Sequence, residues 1–408
     1  MSKNIFSVEV NDEDSEHYLS GLISTDNDEI LGDDGFLNDP IALDDIVVYS
    51  RDWTVETVVS QIINGNIDLN PEFQRRNAWN DTKKSSLIES YLMGYPVPEI
   101  VLAEHPREKK KFIVIDGKQR LLTLCGFLLH EKYDAWKKPV LSGLKDIKEL
   151  NGKGFADIKK EPSLNKYLRH LANSDVRCTI ISNVKNDDIL YDIFYRLNAG
   201  ATPLSVQELR QVLYSGPFTK FLVEYTSEIG GIHHVLNLKK PDDRLKDVEI
   251  LLRMLSFLNK IDSYDGNLKK FLDKFTVHCN ENWTSIEPRL LKVVDHLESS
   301  IKLLSDKFGA SNLIGRKWND EKKRMDSRFN TVLFEVQVYF AFNYPDQHSR
   351  IKPEEFRSAF SSLCENKEFM ASISSSTKNI KEYSTRYSIY GGMISTLSGE
   401  EIKFPWTI

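Results

Sequence analysis

"FIVIDGKQRLLTL", residues 112–124, decides how the chain is read. The apolar and β-branched run from Phe112 to Ile115 predicts a buried strand, which Asp116 and Gly117 end. Gly117 lets the backbone turn where a Cβ would clash. The apolar spacing of Leu121, Leu122 and Leu124 then predicts a helix that begins near Lys118. The first N–H groups of such a helix have no intrahelical partner and form its positive dipole end. With Lys118 and Arg120 beside them, they make an anion cradle of the kind that meets phosphate. Asp116, delivered to the carboxyl end of the strand, could hold a magnesium ion that bridges phosphates, or position an attacking water. An acid and a glycine at such a junction also serve as turn and cap chemistry, so this stretch alone supports both readings.

Outward from that junction the pattern is mixed α/β. "PVPEIVLAEH" (96–105) reads as a partner strand, and "HPREKKK" (105–111) as the solvent-facing connection between the two. "DWTVETVVSQIINGNI" (52–67) carries a helical apolar stripe that Gly65 can end, and "DTKKSSLIESYLMGY" (81–95) a second helix with Asp81 as N-cap and Gly94 as its stop. A weak helix at "PSLNKYLRHLANS" (162–174) precedes a strand at "VRCTIISNV" (176–184). Helices follow at 186–200 and 202–216, the second with a capping box from Ser205 to Glu208. Beyond about residue 215 nearly everything reads helical, with "DDRLKDVEILLRMLSFLNKI" (242–261) and "RFNTVLFEVQVYFAFNY" (328–344) as the plainest cases.

The organisation expected is an acidic, flexible tail at 1–50, a nucleotide-binding domain at 51–215 and a helical domain at 216–408. Net charge is −6, but the first fifty residues hold thirteen acids against Lys3 and so sum to −12, leaving +6 for the rest. Such a tail cannot bury much surface. It serves either as a solubilising segment or as a mask over a basic groove. No apolar run approaches the ~20 residues that cross a bilayer, and the N-terminus lacks the apolar core of a secretory signal. The expectation is a cytoplasmic protein with no membrane partner. Cys125, Cys178, Cys279 and Cys364 are far apart and form no CxxC pair, which argues against a zinc ribbon or disulfide framework.

Two further clusters resemble the first chemically. "NPEFQRRNAW" (70–79) sets Gln74, Arg75 and Arg76 between Phe73 and Trp79 in a segment that Pro71 keeps extended. Guanidinium forks suit phosphate oxygens and aromatic faces suit a base, whereas the plainer reading is a charged turn with both aromatics in the core. "FYRLNAGATPLSVQEL" (194–209) holds Arg196 and Asn198 before an Ala-Gly turn.

Taken in order and spacing, "PEFQRRNAW", "LIESYLMGYPVPEIVL", "FIVIDGKQRLLTL", "FYRLNAGATPLSVQELR" and "DRLKDVEILLRMLSF" resemble the family called domain of unknown function 262. That family is similar to the N-terminal part of GmrSD-type modification-dependent restriction enzymes, and its core resembles the ParB/sulfiredoxin fold. The match runs from about residue 52 to 260. The resemblance implies an α+β chain: a ParB/sulfiredoxin-like mixed α/β domain followed by an all-helical C-terminal domain. It further implies a nucleotide-binding, nucleotide-hydrolysing domain in bacterial defence against foreign DNA. The family's aspartate–glycine–glutamine–glutamine–arginine motif corresponds to Asp116, Gly117, Lys118, Gln119 and Arg120, with a departure at Lys118. Lysine adds a phosphate-attracting charge and removes an acceptor. The family's glutamine–arginine pair corresponds to Gln74 and Arg75.

On this resemblance Asp116 and Arg120 are the catalytic candidates, with Asp116 also the metal ligand. Gln74, Arg75, Arg76, Gly117, Lys118, Gln119 and Asn198 are the nucleotide-binding candidates. The cofactor expected is Mg2+ with a nucleoside triphosphate, the base left open. Many relatives end in a His-Asn-His nuclease; here the region after residue 280 holds only His296 and His348, so a nuclease of that type is not expected. Three functions stay open: a nucleoside triphosphatase; a nucleotide- or DNA-sensing module that regulates a partner nuclease or other defence protein without hydrolysis; and a ParB-like DNA-nicking nuclease. The acidic balance disfavours tight unaided DNA binding, and homo-oligomerisation is compatible with each.

Overall fold

The computed structural model of the chain describes residues 46–69, 79–129, 136, 139–184, 189–191, 193, 205–374 and 379–403. It divides into two compact units between Ser215 and Gly216. The architecture is α+β: a mixed five-stranded sheet with helices in the first unit, and helices in the second.

The first unit opens with β1 (Val47–Thr54), which runs directly into α1 (Val55–Ile63). Thr54 makes that transition by accepting from the Thr57 N–H at 3.2 Å, an N-cap in extended conformation. After β2 (Ile67–Asp68) comes α2 (Asp81–Met93). Its N-cap is Asn80, whose Oδ1 accepts from the Lys83 N–H at 2.9 Å. Asp81, expected as the cap, is instead the first helical residue and pairs with Lys84 at 3.1 Å. The correction is one residue: the cap must sit in extended backbone three positions before the N–H it satisfies, and Asn80 does. Gly94 ends the helix in the left-handed region, as its position predicts.

β3 (Ile100–Glu104) and β4 (Phe112–Asp116) form the expected antiparallel hairpin, and α3 (Lys118–Leu128) follows. α4 (Phe155–Lys160) and α5 (Asn165–Asn173) lead to β5 (Asp175–Ser182), and α6 (Val206–Leu213) closes the unit. The strand order is β1-β5-β3-β4-β2. β5 runs parallel to β3 and antiparallel to β1, while β2 and β4 are parallel. Alternate residues Ile100, Leu102, Phe112, Val114, Val176, Cys178 and Ile180 join one core with Val55, Val58, Ile62, Ile88, Leu121 and Leu124 from the helices. The capping box forms as the sequence predicts: Glu208 N–H donates to Ser205 Oγ at 3.1 Å, and Ser205 N–H to Glu208 Oε2 at 2.6 Å.

β1 corrects the tail boundary. Val47 to Ser50, assigned to an acidic tail through residue 50, are strand, paired with β5 from Val47 opposite Ser182 onward. An edge strand exposed on both faces carries no apolar alternation, so its period is silent in the sequence.

In the second unit, α7 (Lys246–Lys260), α8 (Thr331–Asn343) and α9 (Ile380–Ser398) share an aromatic and ionic core. Arg253 on α7 donates to Glu335 on α8, whose other oxygen accepts from the Tyr383 hydroxyl on α9 at 3.2 Å. Arg386 is fully buried over the Tyr383 ring, 3.7 Å from its centroid. Phe340 is buried and packs on Tyr344, Tyr387 and Tyr390, so it serves the core. A two-stranded ladder, Trp318–Asn319 with Arg324–Met325, interrupts the helices. All four cysteines are free and buried.

Candidate functional site

The junction of β4 and α3 has the geometry its sequence predicts. β4 ends at Asp116, Gly117 takes φ +93, and α3 starts at Lys118. A Cβ at residue 117 would stand 2.3 Å from Ile100 Cδ1 and 3.0 Å from an Arg120 nitrogen. Glycine is therefore required twice, by backbone sign and by space. Relative to β3, β4 carries an extra residue here, since Val101 faces Asp116 while Leu102 faces Val114. A bulge of this kind bends the strand and re-aims the residue that ends it.

Asp116 is tied in place from two sides. Its Oδ1 accepts from the Gly117 N–H at 2.6 Å, and its Oδ2 accepts from Arg120 at 3.1 Å. The same guanidinium nitrogen donates to the Glu99 carbonyl at 2.9 Å, which locks Arg120 between two strand ends. Of the pair, Arg120 is the more deeply buried, with 11% of its side chain exposed against 34% for Asp116. Among the described residues, two buried polar atoms, Gln119 Oε1 and Arg120 Nε, have no hydrogen-bond partner. Behind Arg120 lies Tyr91 of α2, its hydroxyl pushed up to about 12 by burial although the Arg120 charge pulls the other way.

Sequence reasoning passed over Glu99 and Thr179. Glu99 immediately precedes β3, and its Oε2 accepts from the Thr179 hydroxyl of β5 at 2.8 Å, so β5 holds the residue whose carbonyl receives Arg120. The signal available was an acid between Pro98 and an apolar strand, in register to end beside the one before Gly117. Cys178, next to Thr179, is no nucleophile: burial first, then the Asp52 and Glu99 charges, push its thiol up to about 12.

Of the residues expected at the site, Asp116, Gly117, Lys118, Gln119 and Arg120 are together at this junction. Gln74, Arg75, Arg76 and Asn198 lie outside the described residues. Trp79, which flanks the first three, packs on the core with Lys83 Nζ 4.4 Å from its ring centroid. Among the described residues no three His, Cys, Asp or Glu side chains are placed to share a metal ion. A magnesium ion here would take Asp116 with phosphate oxygens and water, the donor set usual for that ion in nucleotide sites. No described helix is long and apolar enough to cross a membrane.

The chain has no match among curated proteins. Residues 55–215, the segment that holds β2 to β5 and the β4–α3 junction, match the family model of the GmrSD restriction endonuclease N-terminal domain, and this part of the chain is similar to that domain.

Proposed function

We propose that the chain is a restriction-type defence protein whose segment 55–215 binds a nucleoside triphosphate at the β4–α3 junction and hydrolyses it with magnesium. The family match supports the defence setting. The observation that carries the site is the pair of buried, unsatisfied atoms, Gln119 Oε1 and Arg120 Nε, beside a part-exposed Asp116. Buried polar atoms are nearly always satisfied in proteins, so an acceptor and a cationic donor without partners among the described residues are groups that a ligand can satisfy. A nucleotide offers both complements: amino or hydroxyl donors for Gln119 and anionic oxygens for Arg120.

In this reading Arg120 moves its guanidinium from Asp116 to a phosphate oxygen, and α3 turns its N-terminal N–H groups toward the same charge. Asp116 is thereby freed to orient water or to join a metal's ligands. Bound magnesium neutralises charge on the phosphates. The Gly117 turn brings backbone close to the phosphates without a Cβ between them.

The Asp116–Arg120 pair also favours a second reading, a switch that binds nucleotide without turning it over and so regulates a partner nuclease or another defence protein. Both are tested by incubating the purified protein with each ribonucleoside triphosphate and magnesium, with and without DNA. Phosphate release is measured beside Asp116→Asn and Arg120→Ala. Release that falls at least ~100-fold in Asp116→Asn, in the range of a lost general base, supports hydrolysis at this junction. Binding in calorimetry without release supports the switch. Nicking of supercoiled DNA without nucleotide turnover would instead support the nuclease alternative, and no binding at all sinks the site.

A further inference from the structure

β1 is the edge of the five-stranded sheet, and among the described residues no strand pairs with its outer side. Its first half exposes three consecutive large apolar residues: Val47 is 52% exposed, Val48 60% and Tyr49 41%. Proteins usually blunt such edges with lysine, proline or a short strand. β1 instead runs from Val47 to Thr54 without either residue, and its charges, Arg51 and Asp52, are confined to the second half.

Two identical antiparallel strands related by a two-fold axis can pair only with a residue opposite itself, because opposed residues must turn their backbone groups the same way. For β1 two such registers use nearly the whole strand. Centring on Arg51 sets like charges face to face, which is destabilising. Centring on Ser50 avoids that. It lays Tyr49 opposite Arg51 of the other copy, a guanidinium beside an aromatic ring, and Val47 opposite Trp53. Within one chain Arg51 already lies 5.1 Å from the Trp53 ring centroid, so its side chain is on the face this pairing needs. Asp52 is held by Arg177 of β5 at 3.6 Å, which leaves its charge compensated when Val48 of the second copy stands opposite.

We propose that β1 is a homodimerisation edge: two copies of this chain join their sheets antiparallel through Val47 to Trp53, with Ser50 on the two-fold axis. Charge and ring complementarity in a single register favours a second copy over an unrelated strand.

The test is sedimentation velocity of the full chain at micromolar concentration, alone and as Val48→Lys and Tyr49→Lys. Both positions are exposed in the monomer, so the variants should keep the fold, checked by circular dichroism. A dimer that each variant converts to monomer is the expected result. In parallel, Ser50→Cys should give a reducible covalent dimer under mild oxidation, since opposed residues of paired strands lie within disulfide reach. The exposed Ser86→Cys should not, and the native cysteines are buried. A monomeric wild-type protein, a dimer indifferent to both lysines, or a Ser50→Cys variant that fails to cross-link faster than Ser86→Cys overturns the proposal.

Discussion

Arg120 shows how much one side chain can organise. Its guanidinium reaches the carboxylate that ends one strand and the carbonyl that precedes another, so the ends of β3 and β4 are fixed to the first turn of α3. His348 shows the opposite situation, a titratable side chain with no charge partner. It is fully buried, its Nδ1 lies 3.1 Å from the Tyr344 carbonyl and therefore carries the proton, and among the described residues its Nε2 has no hydrogen-bond partner. Burial, with the Lys307 charge adding to it, lowers its pKa to about 4. Because the folded value is depressed, the neutral ring's contribution is complete above the unfolded value near 6.5 and is lost as pH falls through about 4. The helical unit should lose up to about 3 kcal/mol over that window from this residue. Urea unfolding across the window checks it: His348→Asn should flatten the pH dependence, and an unchanged slope would count against a buried neutral histidine.

At the scale of elements, caps decide where helices begin. α2 starts one residue earlier than a cap at Asp81 would have it start, because Asn80 supplies both the extended backbone and the side-chain acceptor. Asn80→Ala should cost about 1 kcal/mol, read as a lower denaturant midpoint for the first unit. A silent substitution would return the cap to Asp81. β1 is the element that its own sequence conceals. It alternates nothing, since both faces of its first half are exposed, and only Ile46 separates it from Asp44 and Asp45, so composition assigned its start to the acidic segment. Its pairing with β5 supplies the order that periodicity could not show.

At the scale of the whole molecule, each unit has its own core, and the cores differ in kind. The first is aliphatic, with Trp53 and Phe112 meeting edge to face. The second is built around buried charge: Glu335 receives Arg253 and Tyr383, Glu249 lies 3.6 Å from Arg253, and Arg386 is fully buried nearby. Removing one partner of a buried pair leaves the other uncompensated, so Glu335→Ala should destabilise the helical unit by about 3–5 kcal/mol. Thermal melting checks this, and a variant within 1 °C of the parent would contradict it. By itself, the sequence determined the α+β class, the β3–β4 hairpin, the turn at Gly117, the caps at Ser205 and Gly94, and the Asp116-to-Arg120 cluster. Each is a local matter, set by side-chain period, by the sign of φ or by a hydrogen bond across three or four residues. Only the tertiary structure decided the strand order, the place of β1, the bulge that aims Asp116, the contact of the Glu99 carbonyl with that cluster, and the pairing of Arg253 with Glu335. Those contacts join residues far apart in the chain, and their energy exists only once packing has removed the water between them.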